Sequence, residues 1–289
     1  MTDFVKRNKK HFNFKQFISN AFKEDVGDGD HTSLSTIPKN HRGKMQLLAK
    51  EDGIIAGIEA AQIIFKQIDK GSKLKTFFKD GAAIKKGDVV LIVEGNTQKM
   101  LTAERLVLNI MQRMSGIATK TAHLQDLCRG TKTQVIDTRK TTPGFRFFEK
   151  WAVLIGGGGN HRYGLYDMIL IKDNHIDFAG GIEKAIDSAN RYLKSKRKKL
   201  NIEVETRSLE DVNFVLKHGG VQRIMLDNYT PQQTLAAVKL INGKFEVESS
   251  GGITEKNIQS YAKCGVDFIS IGALTHHVKG LDLSLKAVK

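Results

Sequence analysis

The sequence predicts an α/β protein, with an N-terminal α+β sandwich domain followed by a C-terminal α/β barrel of parallel strands. Three observations carry this. After residue 130, short apolar runs rich in β-branched residues alternate with helical patterns, and strands separated by helices imply right-handed crossovers between parallel strands. Residues 45–95 instead show strand-like runs joined by tight turns. Between these regions, residues 98–129 keep one long helical period. The expected division is residues 1–115 for the first domain and 116–275 for the barrel, with the tail 276–289 packing on the first domain.

Taken in order, Phe14, Phe17, Ile18 and Phe22 recur at helical spacing and predict an amphipathic helix with its lysines in solvent. The acidic turn EDVGDGDHTS at 24–33 breaks it. Its acids lack the distal Glu of an EF-hand loop, so the turn is read as structural. MQLLAKEDGIIAG, a helix over EAAQIIFKQI, and KLKTFFKDGAAIKKGDVVLIVEG build the small domain, with turns at Asp52-Gly53, Asp80-Gly81 and Lys86-Gly87-Asp88. The last run is similar to a biotinyl or lipoyl carrier hammerhead, but no Met-Lys-Met turn follows, which argues against a swinging arm. In the long helix, Leu101, Leu106, Val107, Ile110, Met111 and Met114 share a core stripe, which Gly116 interrupts, placing the domain boundary near it.

Six strand-like runs follow: TQVIDTRK, YDMILIKDN, LNIEVET, RIMLDN, KFEVESSGG and DFISIGAL. Helical patterns lie between them, including IEKAIDSANRYLK, LEDVNFVLKHG, PQQTLAAVKLI and EKNIQSYAKCG. The basic run KSKRKK at 194–199 ends one of these helices and is read as a solvated surface.

Composition narrows the function classes. The chain has 289 residues and a formal net charge of +15, which favours acidic partners: nucleic acid, anionic lipid or small polyanions. Its two cysteines, Cys128 and Cys264, stand far apart with no metal-binding spacing, which fits a reducing cytosol without structural zinc. The basic N-terminus lacks the continuous apolar core of a signal peptide, and no run approaches the roughly 20 apolar residues of a membrane span. A soluble cytoplasmic protein is expected.

The stretch Asp137–His175 concentrates Arg139, Lys140, Arg146, Lys150, His161, Arg162, Lys172 and His175 among apolar runs, a Gly-rich loop and few acids. Lys and Arg are rarely buried unless something pairs with them, so a ligand anion is implied. Arg146 and Lys150 fall in a helix-like run and are expected on a solvated face. Arg139, Lys140 and Lys172 follow strand-like runs, where a parallel barrel opens its active site, and Arg162 is grouped with them. His161 and His175 each follow an Asn, so a local hydrogen-bonding role competes with a role in the site.

Parallel topology brings Glu205, Asp227, Ser250-Gly251-Gly252 and Gly272 to the same mouth. Gly251, Gly252 and Gly272 follow the last two strands and precede helices, the usual phosphate cradle of such barrels. The Gly156–Gly159 run lacks a following Gly-Lys-Ser/Thr and is not a P-loop.

DTRKTTPG at 137–144, GGGGNHRYGLYDMILIKDNHI at 156–176 and ESSGGI at 248–253 resemble the signatures of quinolinate phosphoribosyltransferases. The resemblance covers most of the chain, and is weakest before about residue 25 and in the basic insert at 194–199. It implies transfer of a phosphoribosyl group from phosphoribosyl pyrophosphate to quinolinate, with loss of carbon dioxide, to give nicotinate mononucleotide in NAD biosynthesis. It also implies that Thr138, Arg139, Lys140, His161, Arg162, Lys172, Ser250, Gly251, Gly252 and Gly272 bind substrate. Lys140, Lys172, Glu205 and Asp227 are the expected catalytic residues. Glu205 and Asp227 would hold ribose hydroxyls and position Mg2+, directly or through water. Glu104-Arg105 and the run after it match the family's helix that reaches a neighbouring subunit, which implies a homodimer with Arg105 donated across the interface. Trp151, where Tyr is usual, and Leu154-Ile155, where a more polar pair is frequent, depart from the pattern without touching these residues.

Three rivals remain at this level. A Schiff-base aldolase would use Lys172 as nucleophile. A nucleic-acid binder would rest on KSKRKK, which lacks interleaved aromatics, so no specific nucleic acid is expected. A paralogous transferase of the same fold would take another pyridine acid or an unrelated base.

Overall fold

The computed structural model describes residues 12–288; the first eleven residues, part of the basic N-terminal stretch, lie outside it. The chain divides into two compact units. One comprises the chain through Ala122 with Thr141–Gly157 and the segment from His277; the other comprises His123–Lys140 and Gly158–His276.

In the first unit, β1 (Arg42–Ala49), β3 (Lys73–Thr76), β5 (Val89–Asn96) and β12 (Leu283–Ala287) form an antiparallel sheet in the order β12-β1-β5-β3. A small ladder pairs β2 (Gly53–Ile54) with β4 (Ala83–Ile84). β1 alternates as a one-sided strand should, with Met45, Leu47 and Ala49 buried. The helix Ile58–Ile68 buries Ile58, Ala61 and Phe65 at helical spacing, and Asp80 caps it by accepting from the Ile58 and Glu59 amides. Asp30 caps the helix His31–Thr36 and accepts from the Thr102 hydroxyl, so the acidic turn is structural.

The helix Thr97–Leu127 keeps the long helical period expected of it, but its core stripe departs from expectation. Gly116 does not interrupt the stripe, since Ile117 and Ala118 beyond it are buried; a Cβ at Gly116 would collide with the Lys279 carbonyl oxygen, so this glycine permits a close chain crossing. The buried stripe includes Met100, Ala103, Val107, Ile110, Met111 and Met114, while Leu101 and Leu106 are only half-buried.

The helix Arg146–Ile155 corrects a second expectation. Lys150 is fully buried, as are Phe147, Phe148, Glu149 and Trp151, because this helix packs on several faces rather than one. Within it Glu149 accepts from the Arg113 guanidinium at 2.7 Å and from the Thr142 amide at 3.0 Å.

The second unit is an α/β sheet of six parallel strands: β6 (Gln134–Ile136), β7 (Ile169–Ile171), β8 (Ile202–Thr206), β9 (Arg223–Asp227), β10 (Glu246–Ser250) and β11 (Phe268–Ser270). Their order is β6-β11-β10-β9-β8-β7. This is the cyclic succession of a barrel, with β6 and β7 at the two ends of the ladder. Beside β6 the chain also makes an isolated parallel bridge between Ile136 and Gly159. Helices Ile182–Ser195, Leu209–His218 and Pro231–Ile241 fill the crossovers. Ser208 and Thr230 cap the last two by accepting from Asp211 and Gln233 amides.

Candidate active site

Strand periodicity builds the site. Successive side chains point to opposite faces, so Glu203 and Glu205 of β8 share a face, as do Arg223, Met225 and Asp227 of β9 and Glu246, Glu248 and Ser250 of β10. The register sets Glu205 beside Met225 and Ser250 beside Asp227. The strands' C-terminal ends open onto a cavity of about 830 Å³, within the usual range for a small-molecule site.

Every expected barrel residue of the site lines this cavity: Thr138, Arg139, Lys140, His161, Arg162, Lys172, Glu205, Asp227, Ser250, Gly251, Gly252 and Gly272. Arg105 is exposed on the long helix of the first unit.

The first cationic group leaves β6. Asp137 is fully buried and accepts from the His161 amide at 3.0 Å and from Asn160 Nδ2 at 2.6 Å, tying the two segments that carry Arg139 and Arg162. Lys140 is fixed through its main chain: its amide donates to Thr138 Oγ1, and its carbonyl accepts from Thr275 Oγ1 at 2.7 Å. Burial and then the neighbouring Arg139 charge lower the proton affinity of Arg162. Like charges brought together in a half-buried place suit an anionic ligand.

Lys172 donates to Glu205 Oε2 at 3.0 Å. The backbone amide of Lys172 donates to His175 Nδ1, so His175 caps the helix Asp173–Ala179 and does not line the cavity. Asp227 accepts from Asn228 Nδ2. Asn228 itself adopts a left-handed conformation with φ 57°.

Two glycines have geometric reasons. Gly251 has φ +88°, and a Cβ there would collide with the Asn228 side chain. At Gly272 a Cβ would press on His276 at 2.9 Å and Lys140 at 3.0 Å. The cradle differs from expectation in one respect. Residues 253–257 intervene between Gly252 and the helix Ile258–Ala262, so loop residues Gly251 to Thr254, rather than the N-terminus of that helix, line the cavity. Asn257 braces that loop, accepting from the Thr254 amide and donating to the Gly252 carbonyl.

Sequence reasoning missed several lining residues: His276, Asn228, Thr254, Ser270 and Glu248. His276 lies one helical turn after Gly272, a spacing that could have marked it. Glu248 belongs to a deeper buried group with His161, Glu203 and Arg223. His161 Nε2 lies 3.1 Å from Glu203 Oε2 and 3.6 Å from Glu248 Oε2. Arg223 donates to the same oxygen, Glu248 Oε2, at 3.0 Å. Burial pushes the Glu203 carboxyl up to about 7 and the Glu248 carboxyl up to about 8, the second helped by the charge of the first.

A parallel sheet whose mouth gathers guanidinium, ammonium, carboxylate and glycine-loop groups defines an enzyme that handles phosphorylated and carboxylated small molecules. Residues 30–115 match the family described as quinolinate phosphoribosyl transferase, N-terminal domain, and residues 117–286 match its C-terminal domain. The chain belongs to the quinolinate phosphoribosyltransferase family of pentosyltransferases. It is 47% identical to the chloroplastic nicotinate-nucleotide pyrophosphorylase [carboxylating] of Arabidopsis thaliana, over 95% of this chain and 83% of that protein. It is 39% identical to the probable nicotinate-nucleotide pyrophosphorylase [carboxylating] of Bacillus subtilis, over 95% of this chain and 93% of the relative. The crystal structure of NadC from Streptococcus pyogenes superposes with a TM-score of 0.90 at 36% identity, covering 100% of this chain and 99% of the other. Among the described residues no helix is long and apolar enough to cross a membrane.

Proposed function

We propose that this protein transfers the phosphoribosyl group of phosphoribosyl pyrophosphate to quinolinate and releases pyrophosphate, carbon dioxide and nicotinate mononucleotide, a step of NAD biosynthesis. The observation that carries this reading is the convergence of Arg139, Lys140, Arg162 and Lys172 with Glu205 and Asp227 around one cavity. Two substrates that together bring a phosphate, a pyrophosphate and two carboxylates need such a load of cations.

Arg139 and Arg162 take the quinolinate carboxylates, since a guanidinium pairs with a carboxylate through two parallel hydrogen bonds. His161 lies in the same place, and Arg105 completes it from the second protomer of a homodimer. Support for the donation is that Arg105 is exposed on its helix. Lys140 and Lys172 serve phosphate oxygens or bridge the two substrates. Ser250, Gly251, Gly252 and Gly272 offer bare backbone to phosphate.

Glu205 and Asp227 act at the ribose. The bond from C1 to pyrophosphate breaks with its electron pair leaving on pyrophosphate, and positive charge develops on the ribose carbon. Carboxylates nearby stabilise that charge. The pyridine nitrogen then bonds to C1. The ring carries a positive nitrogen, so the C2–carboxylate bond can break toward the ring, releasing carbon dioxide; the carbon left behind takes a proton. The side chains position the reactants and compensate charge.

Two hard carboxylate oxygen donors fit Mg2+, which keeps several waters and is held by one or two carboxylates together with substrate phosphates. Glu205 and Asp227 both line the cavity, and the Lys172 contact engages Oε2 of Glu205. When bound, the ion offsets charge on the departing pyrophosphate. A cytoplasmic setting belongs to the same proposal, supported by the sparse cysteines.

The test is stoichiometry. Purified protein given quinolinate, phosphoribosyl pyrophosphate and Mg2+ should release carbon dioxide and pyrophosphate in equal amounts with nicotinate mononucleotide. Mononucleotide formed without carbon dioxide would overturn the reading.

A further inference from the structure

Below the mouth of the cavity sits a buried layer whose acids, Glu203 and Glu248, the proposed chemistry does not use. Glu203 and Glu248 come from different strands, and both are fully buried. Each carboxylate approaches the same ring atom, His161 Nε2. The other ring nitrogen, Nδ1, accepts from the Arg162 amide at 2.7 Å, so the ring's proton belongs on Nε2, toward the acids.

The groups around this layer are Glu203 on β8, Arg223 on β9, Glu246 and Glu248 on β10, and His161 and Arg162 on the segment after Gly159. Arg223 joins the layer, with NH1 at 3.0 Å from Glu248 and NH2 at 3.0 Å from Glu246. Its guanidinium also lies 3.9 Å from the centre of the Phe268 ring. Three donors close together resemble a metal site. That role is already filled, because the Arg223 cation engages Glu248.

What the layer does follow from is the Arg139 and Arg162 pair. Without ligand these guanidiniums repel, and the Glu203 charge is one of the attractions that oppose this at Arg162. The Arg162 backbone is held in turn by the His161 ring, and the His161 amide by Asp137.

We propose that Glu203 and Glu248, backed by Arg223, are positioning residues for recognition of the aromatic diacid: they clamp the edge of the His161 ring and through it fix the backbone that aims Arg162. This deepens the quinolinate reading and rests on it. A buried carboxylate placed behind a cationic pair keeps that pair ordered before substrate arrives, which lowers the cost of binding. Glu248 stands two residues before Ser250 on β10, but its contacts run to His161 and Arg223, and through the His161 ring to the Arg162 backbone, rather than into the glycine turn. Its loss should therefore be felt by one substrate and not the other.

The experiment compares wild type with Glu248→Ala, Glu248→Gln and Glu203→Gln, measuring KM for quinolinate, KM for phosphoribosyl pyrophosphate and kcat, with circular dichroism as the check on folding. Misplacing Arg162 should raise the quinolinate KM of Glu248→Ala about tenfold or more, as small misplacements in a site commonly do. The phosphoribosyl pyrophosphate KM should change far less. Glu248→Gln keeps the shape and should recover most of the loss. If Glu248→Ala fails to fold, the isosteric Glu203→Gln carries the test, read also by calorimetric binding of quinolinate alone. Parallel changes in both KM values, or no change in either, overturn the positioning role while wild-type turnover upholds the reaction. A wild type that ignores quinolinate overturns both.

Discussion

The Lys172 ammonium lies 3.0 Å from Glu205 Oε2, and the two side chains differ sharply in exposure, 47% for the lysine and 6% for the acid. The buried carboxylate anchors a half-exposed cation at the mouth of the cavity. It also bears on the aldolase alternative. A Schiff-base lysine must give up its proton to attack a carbonyl, and here that proton is shared with a buried acid.

Substituting Lys172→Met should leave Glu205 without its cation. Because the lysine end of the pair is half exposed, solvent screens it and the stability cost should be small, about 1 kcal/mol or less, while kcat/KM should fall through the lost cation at the cavity. Borohydride trapping of the wild type with carbonyl compounds should give no adduct; a labelled Lys172 would revive the aldolase.

Arg139→Ala and Arg162→Ala each remove a charge assigned to a substrate carboxylate. Each should weaken use of quinolinate by roughly 2 to 5 kcal/mol in kcat/KM. Steady-state kinetics with quinolinate varied measure this, and unchanged values would remove the residue from the diacid site.

These residues were legible in the sequence because they follow short apolar strands or the glycine run, and Lys172 even retains its neighbour Asp173 at the helix start. The alternation that sets Glu205 at the mouth also sets Glu203 one layer below it, as IEVET spells out. That deeper layer was missed because a buried acid is visible only through its partners, and Arg223 and His161 come from other elements. Lys150 was misread for a related reason. A lysine in a helical pattern gives no sign of how many faces of that helix are covered.

Gly251→Ala should be costly in two ways. Its φ of +88° disfavours a side chain, and a Cβ would strike Asn228 beside Asp227. Strain of this kind costs roughly 1 to 3 kcal/mol. Thermal unfolding should register the loss of stability, and phosphoribosyl pyrophosphate should bind less tightly.

The Glu248 carboxyl provides a pH signature. Its folded value is raised from the ordinary 4.5 to about 8, mainly by burial. The unfolded chain therefore releases the proton first, and stability from this group is fully present below the ordinary value and lost as pH rises through about 8. Glu248→Gln mimics the protonated form and should escape that loss. The melting temperature of Glu248→Gln minus that of wild type should grow from pH 5 to pH 9, whereas a constant difference would contradict the buried-acid account.

The central claim is that this cavity joins a phosphoribosyl group to an aromatic diacid with loss of one carboxylate. The most direct measurement offers quinolinate and nicotinate side by side, with phosphoribosyl pyrophosphate and Mg2+, and follows mononucleotide formation. Two guanidiniums aimed at two carboxylates predict turnover with quinolinate and almost none with nicotinate, which lacks the second anion. Efficient turnover with nicotinate and none with quinolinate would contradict the account.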